Sequence, residues 1–82
     1  MARSLESPRH EALRAFLVER RHKAGLRQID VAKRLRRPQS YVTYVETGQK
    51  IVDVIELLEW ADAIGFDPRE ALKRLGKAQR AK

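Results

Sequence analysis

Apolar residues recur along this chain at the three- and four-residue intervals of a helix, and no stretch alternates as a half-buried strand does. Over residues 10–24, Leu13, Phe16, Leu17 and, shifted by one, Val18 mark a first helix, and Gly25 stands where a helix is stopped. Residues 27–35 place Val31, Ala32 and Leu35 on one face of a second, short helix. Arg36 and Arg37 connect it to Pro38, whose fixed φ and missing donor suit a helix start. A third helix over 39–46 turns Val42 and Val45 inward and ends before Gly48. The β-branched residues within 41–45 do not make it a strand, because a proline start and a glycine stop bound them at helical length. Residues 51–64 carry a broad stripe of Val54, Ile55, Leu57, Leu58, Ala61 and Ile64, with Asp53 as a cap and Gly65 as the stop. Asp67 caps a fifth helix with Pro68 in its first turn and Ala71, Leu72 and Leu75 as its apolar face. The pattern predicts an all-α domain of five short helices over 10–75, a loose polar arm over 1–9 and a basic tail over 76–82. Trp60 is expected either in the core beside Leu57 and Ile64 or at a contact between two copies.

Residues 26–48 hold the most informative arrangement. Two short helices flank a brief connector, and the first carries an alanine on its inner face. Two helices that cross steeply need a small residue at the approach, and Ala32 supplies it. Val31, Leu35, Val42 and Val45 then form a shared core, as a helix-turn-helix requires.

Composition narrows the classes of activity. At 82 residues there is room for one domain. Cysteine is absent, which removes disulfides, thiolate metal sites and cysteine nucleophiles. No apolar run approaches the roughly 18 residues of a membrane span, and no apolar segment follows the basic N-terminus as in a secretory leader. A cytoplasmic protein is expected. His10 and His22 lie too far apart for a metal motif, no phosphate-binding glycine loop exists, and Ser4, Ser7 and Ser40 have no His and Asp in a triad pattern. Neither an enzyme nor a cofactor is expected. The net charge of +7 sits entirely in residues 1–50, which hold 12 Lys/Arg against 5 Asp/Glu, whereas residues 51–82 hold 6 of each. That asymmetry implies a basic working face suited to a polyanion.

The chain resembles the Cro/C1-type, or XRE, helix-turn-helix regulators. Residues 26–35, LRQIDVAKRL, are similar to the family's opening L-T-Q-x-x-L-A-x-x-L, and residues 38–48, PQSYVTYVETG, to its recognition helix S-x-x-x-I-S-x-I-E-x-G. Leu57, Leu58, Ala61, Ile64, Gly65 and the following Asp67-Pro68 resemble its fourth helix and ending, so the likeness runs from about Leu13 to Leu75. Two departures stand out: Arg27 replaces the usual threonine, and Arg36-Arg37 replaces a turn glycine and its apolar neighbour. The turn position favours φ > 0, so an arginine there either carries about 1 kcal/mol of strain or more, or the turn takes a different form.

The resemblance implies a lambda-repressor-like fold and a transcriptional regulator that binds double-stranded operator DNA, with the helix over about 39–46 in the major groove. Gln39, Ser40, Tyr41, Thr43 and Tyr44 are then the base-contacting candidates, since the N-terminal part of such a helix meets base edges. Glutamine pairs bidentately with adenine, and Ser and Thr accept either base type. Phosphate contacts fall to Gln28, Arg27, Arg37, Thr47, Gln49 and Lys50. Arg21 and Glu46 occupy the places of a partly buried ion pair that ties the first helix to the third. A homodimer through the C-terminal helices is expected, with Ile64, Phe66 and Leu72 at the contact. The alternative is a protein-interaction module, such as an antitoxin or adaptor, in which DNA binding is secondary.

Overall fold

A computed structural model describes residues 7–78. Its five helices are α1 (Pro8–Lys23), α2 (Gln28–Leu35), α3 (Gln39–Glu46), α4 (Val54–Ile64) and α5 (Pro68–Lys77). There is no strand among the described residues. The parts of the expected arm and tail at 1–6 and 79–82 lie outside the description.

Three helix boundaries differ from the sequence pattern by two residues or more. α1 starts at Pro8 instead of 10, because the Ser7 side chain caps it: Ser7 Oγ accepts from the His10 N–H at 3.0 Å. Pro8 follows at the first position, where it leaves no donor unsatisfied. α5 runs through Gly76 to Lys77. One helical glycine costs about 1 kcal/mol relative to alanine, too little to end a helix whose Ala71 is fully buried. α4 opens only after Asp53, through a reciprocal cap. Asp53 Oδ1 accepts from the Glu56 N–H at 2.7 Å, and Glu56 Oε1 accepts from the Asp53 N–H at 3.0 Å.

The core lies where α1, α2, α3 and α4 converge, with α5 against α1. Trp60, Phe16, Leu17, Val31, Val42 and Val45 are fully enclosed, and Ala32 is buried with them. Each such large apolar side chain stabilises the fold by roughly 1.5–3 kcal/mol relative to exposure. Phe66 joins this core and is not at the surface expected of a dimer contact. Gly65, at φ 94°, turns the chain back after α4. The Phe66 ring then meets Phe16 edge-on at 5.1 Å. Of the other two residues expected at a dimer contact, Ile64 is half-buried and Leu72 is exposed. The α4 stripe divides: Leu57, Trp60 and Ala61 face inward, while Val54, Ile55 and Leu58 stay in solvent together with Ile51.

The α2–α3 turn adopts the strained geometry anticipated for it. Arg36 is left-handed, with φ 59° and ψ 43°, the one non-glycine residue at positive φ among the described residues. Its N–H caps α2 on the Ala32 and Lys33 carbonyls. Arg36→Gly is expected to stabilise the domain by about 0.5–1 kcal/mol, the strain released less the added freedom of the unfolded chain. A urea melt checks this; an unchanged or lower midpoint contradicts it.

Candidate nucleic-acid interface

α3 is short and largely polar, so its orientation depends on what grips it from behind. Val42 and Val45 are buried in the shared core with Val31 and Ala32 of α2. Glu46, also buried, receives Arg21 Nε at 2.6 Å and Arg21 Nη2 at 2.9 Å. Arg21 also donates to the Leu26 carbonyl at 2.9 Å, which fixes the loop entering α2. Both charges are thus bound in a fork geometry that fits guanidinium to carboxylate.

Gln28, the first residue of α2, extends this network outward. Its Nε2 donates to Glu46 Oε1 at 2.9 Å, and its Oε1 accepts from Thr43 Oγ1 at 2.8 Å and from Gln39 Nε2 at 3.5 Å. A continuous chain of polar contacts therefore runs from the buried ion pair to the exposed start of α3. Gln39, Ser40 and Tyr44 are exposed around it, and Thr43 is partly so. The N-terminal side of α3 presents a polar surface on which Gln39 stands exposed, at the outer limit of hydrogen-bond distance from Gln28.

Tyr41, grouped by sequence with the base-contacting positions, turns inward. Its hydroxyl donates to Glu56 Oε2 at 2.8 Å and accepts from Trp60 Nε1 at 3.1 Å. Burial pushes its pKa up to about 12. Glu56 is itself buried; desolvation raises its carboxyl, but the Asp53 N–H, the Tyr41 hydroxyl and Lys50 outweigh that and hold it below the usual carboxylate range. Tyr41→Phe is expected to cost about 1–3 kcal/mol, since it strands the indole N–H and removes a donor to Glu56. Thermal unfolding followed by the emission of Trp60 measures the loss and any shift in the indole's environment together.

The phosphate candidates separate into two groups. Arg37 lies over the Tyr41 ring at 4.5 Å and donates to Glu59 at 3.2 Å, with Glu56 at 3.9 Å. It is turned toward α4. Arg27 is exposed but paired in parallel with Asp30, at 3.0 Å to each oxygen. That hydrogen-bonded guanidinium holds the Asp30 carboxyl at about 2. Thr47, Gln49 and Lys50 follow α3 together. Thr47 Oγ1 donates to the Thr43 carbonyl at 2.8 Å and accepts from Gln49 Nε2 at 2.9 Å. Lys50 Nζ reaches the Ile51 carbonyl at 2.9 Å and Glu56 at 3.2 Å, with its side chain still partly in solvent.

Two supports of this surface escaped the sequence reading. Arg14 Nη1 donates to the Glu46 carbonyl at 2.8 Å and passes beside Gly48, holding the exit of α3. Nothing local marks it. Glu56 did leave a signal: Asp53 followed three residues later by Glu is a reciprocal cap pattern.

The α2–α3 unit, its left-handed turn and its exposed polar helix start define a helix-turn-helix protein. The helix-turn-helix domain family matches residues 12–75. Among solved structures, an XRE-family like protein from Pseudomonas syringae pv. tomato str. DC3000 is 41% identical, with 83% of each chain covered and a TM-score of 0.78. The restriction-modification controller protein C.AhdI from Aeromonas hydrophila is 35% identical over 73% of this chain and 91% of its own, with a TM-score of 0.68. The clp gene regulator ClgR from C. glutamicum is 26% identical over 83% and 88%, with a TM-score of 0.76. No curated protein gives a significant match. This chain belongs to the XRE family of helix-turn-helix DNA-binding regulators.

Proposed function

We propose that the protein is a sequence-specific regulator of transcription that binds operator DNA as a homodimer, with α3 of each copy in the major groove, and acts in the cytoplasm by binding alone. The observation that carries this reading is the way Gln39 is presented. It stands exposed at the first turn of α3, while Gln28, Glu46 and Arg21 brace that turn from the buried side. A base-reading side chain needs such preorganisation, because an immobilised long side chain otherwise costs about 0.5–1.5 kcal/mol on binding. Ser40, Thr43 and Tyr44 extend the base-facing surface, and Thr47, Gln49 and Lys50 provide the phosphate grip beside it. Tyr41 and Arg37 serve as the frame behind them, given their bonds to Glu56 and Glu59.

Selection from a pool of randomised duplexes tests this directly. The expected product is an inverted repeat with half-sites about one helical turn apart. It is bound about 10³-fold more tightly than a scrambled duplex of equal length. Equal, weak binding to both duplexes overturns sequence-specific regulation.

A further inference from the structure

Neither end of α3 is closed by a side chain of its own. Pro38 offers no side-chain cap at the start, and no basic residue stands in the last turn. An isolated helix of eight residues is marginal in water, and the carbonyls of its last turn lack helical partners. The chain that follows, Thr47 to Lys50, is the segment proposed to grip phosphate. The Gln49 and Lys50 N–H groups tie it back to the Tyr44 carbonyl at 2.8 and 3.1 Å. The remaining closure comes from α1, 32 residues away along the chain: Arg14 Nη1 donates to the Glu46 carbonyl at 2.8 Å. The other nitrogens of Arg14 are committed to Glu11, with Nε on Oε1 at 3.1 Å and Nη2 on Oε2 at 2.5 Å. The stem of Arg14 passes over Gly48, where a Cβ would stand 3.4 Å from Arg14 Cδ.

We infer that Arg14 is a positioning residue for DNA binding. It closes the C-terminal end of α3 from α1, and so fixes the course of the phosphate-gripping segment, without meeting DNA itself. The inference rests on the DNA-binding reading and names what keeps its grip in place. The first support is a division of labour on Glu46. Arg14 and Arg21 lie two turns apart on one face of α1. Both end on Glu46, Arg21 on its carboxylate and Arg14 on its carbonyl. The carboxylate bonds fix how α3 lies on the core, and the carbonyl bond acts where the chain leaves it. The second support is electrostatic. A guanidinium at a helix C-terminus satisfies an orphan carbonyl and meets the negative end of the helix dipole. Glu11 holds that guanidinium in a fork, so it is in place before any ligand arrives. The third support is availability. Every nitrogen of Arg14 has a protein partner and its side chain is 28% exposed, against 43% for Lys50. Lys50 is the cation placed to reach a phosphate, and Arg14 is the one placed to hold the segment that carries it.

Arg14→Met keeps the stem over Gly48 and removes the guanidinium. Amide hydrogen exchange in the free protein reads the closure without DNA. The Gln49 and Lys50 amides are expected to exchange about tenfold faster, as the loss of one charge-assisted hydrogen bond implies. The amides of Val31 and Leu57, in the core, are expected to keep their protection. Binding to selected and scrambled duplexes should weaken alike, about three- to tenfold, because only molecules with the exit closed are competent to bind. The slope of log affinity against log salt should stay as it is in the unaltered chain. A slope shallower by about 0.9 per copy would mean that Arg14 neutralises a phosphate itself, and overturns the positioning role. Unchanged exchange at Gln49 and Lys50 overturns it too, and so does an equal loss of protection at Val31 and Leu57, which would make Arg14 a general stabiliser. Arg14→Lys keeps the charge and one donor, and is expected to bring exchange and affinity within about threefold of the unaltered chain. Recovery of affinity while exchange stays fast assigns the effect to charge and overturns the tether. If the unaltered chain binds neither duplex, the DNA-binding reading fails and this role with it. If Arg14→Met alone leaves exchange and affinity unchanged, the role fails and that reading stands.

Discussion

Replacing Glu46 by alanine is expected to destabilise the domain by about 3–5 kcal/mol, the cost of leaving a buried partner charge unpaired. Against a total stability of about 5–15 kcal/mol for a domain, that is a large share for a single change. The magnitude follows from burial. The Arg21 and Glu46 side chains are 10% and 6% exposed, so water does not reach in to solvate the stranded guanidinium. Gln28 loses its acceptor in the same step. Surface pairs such as Arg74 with Glu19 are expected to contribute far less, because solvent screens them. The double variant Arg21→Met with Glu46→Leu separates the two possible origins of the loss. If unpaired charge dominates, the double variant loses much less than the sum of the single changes. If it loses the full sum, the pair acts as two independent packing elements and the assignment fails. Urea denaturation of the four proteins measures the coupling.

What the sequence made legible, and what it did not, follows from the range of the interactions. Stops and caps are local chemistry. Gly25, Gly48 and Gly65 all end helices at positive φ, and Asp53 and Asp67 both cap. The extent of α3 follows from Pro38 and Gly48 in the same way. Ser7-Pro8 was equally local, yet it reads as an arm until His10 N–H is seen on Ser7 Oγ, because few apolar residues accompany it. The surroundings that periodicity leaves hidden are those of residues whose partners lie far along the chain. Phe66 is separated by fifty residues from the Phe16 ring that covers it. Tyr41 falls in the first turn of α3, among the base-contacting candidates, but Glu56 and Trp60, fifteen and nineteen residues on, draw its hydroxyl inward. The wide apolar stripe of α4 exceeds what one buried face can hold. Periodicity alone does not say which part of that stripe remains outside.

Gln39→Ala and Lys50→Ala are expected to damage DNA binding in opposite ways. Gln39 is proposed to read a base edge, where a good bidentate pair gives about 1–3 kcal/mol of discrimination. Its loss should lower affinity for the selected site about 5- to 150-fold per half-site, relax selection at one base position and leave scrambled-duplex binding almost unchanged. The salt slope should stay where it was, because no phosphate contact is lost. Lys50 is proposed to meet a phosphate. Its loss should weaken selected and scrambled duplexes alike and make the slope of log affinity against log salt shallower by about 0.9 per copy. A third variant guards against mistaking a general loss of positive charge for loss of a contact. Arg37 carries the same charge from the same basic half, but it is held by Glu59 as well as lying near Glu56, whereas Lys50 reaches Glu56 alone. Arg37→Ala should therefore leave the salt slope nearly intact. Titration of the three variants across salt, on both duplexes, distinguishes the roles. A slope that falls equally for Arg37→Ala and Lys50→Ala would mean that the field of the basic half, and not the placement of Lys50, governs binding.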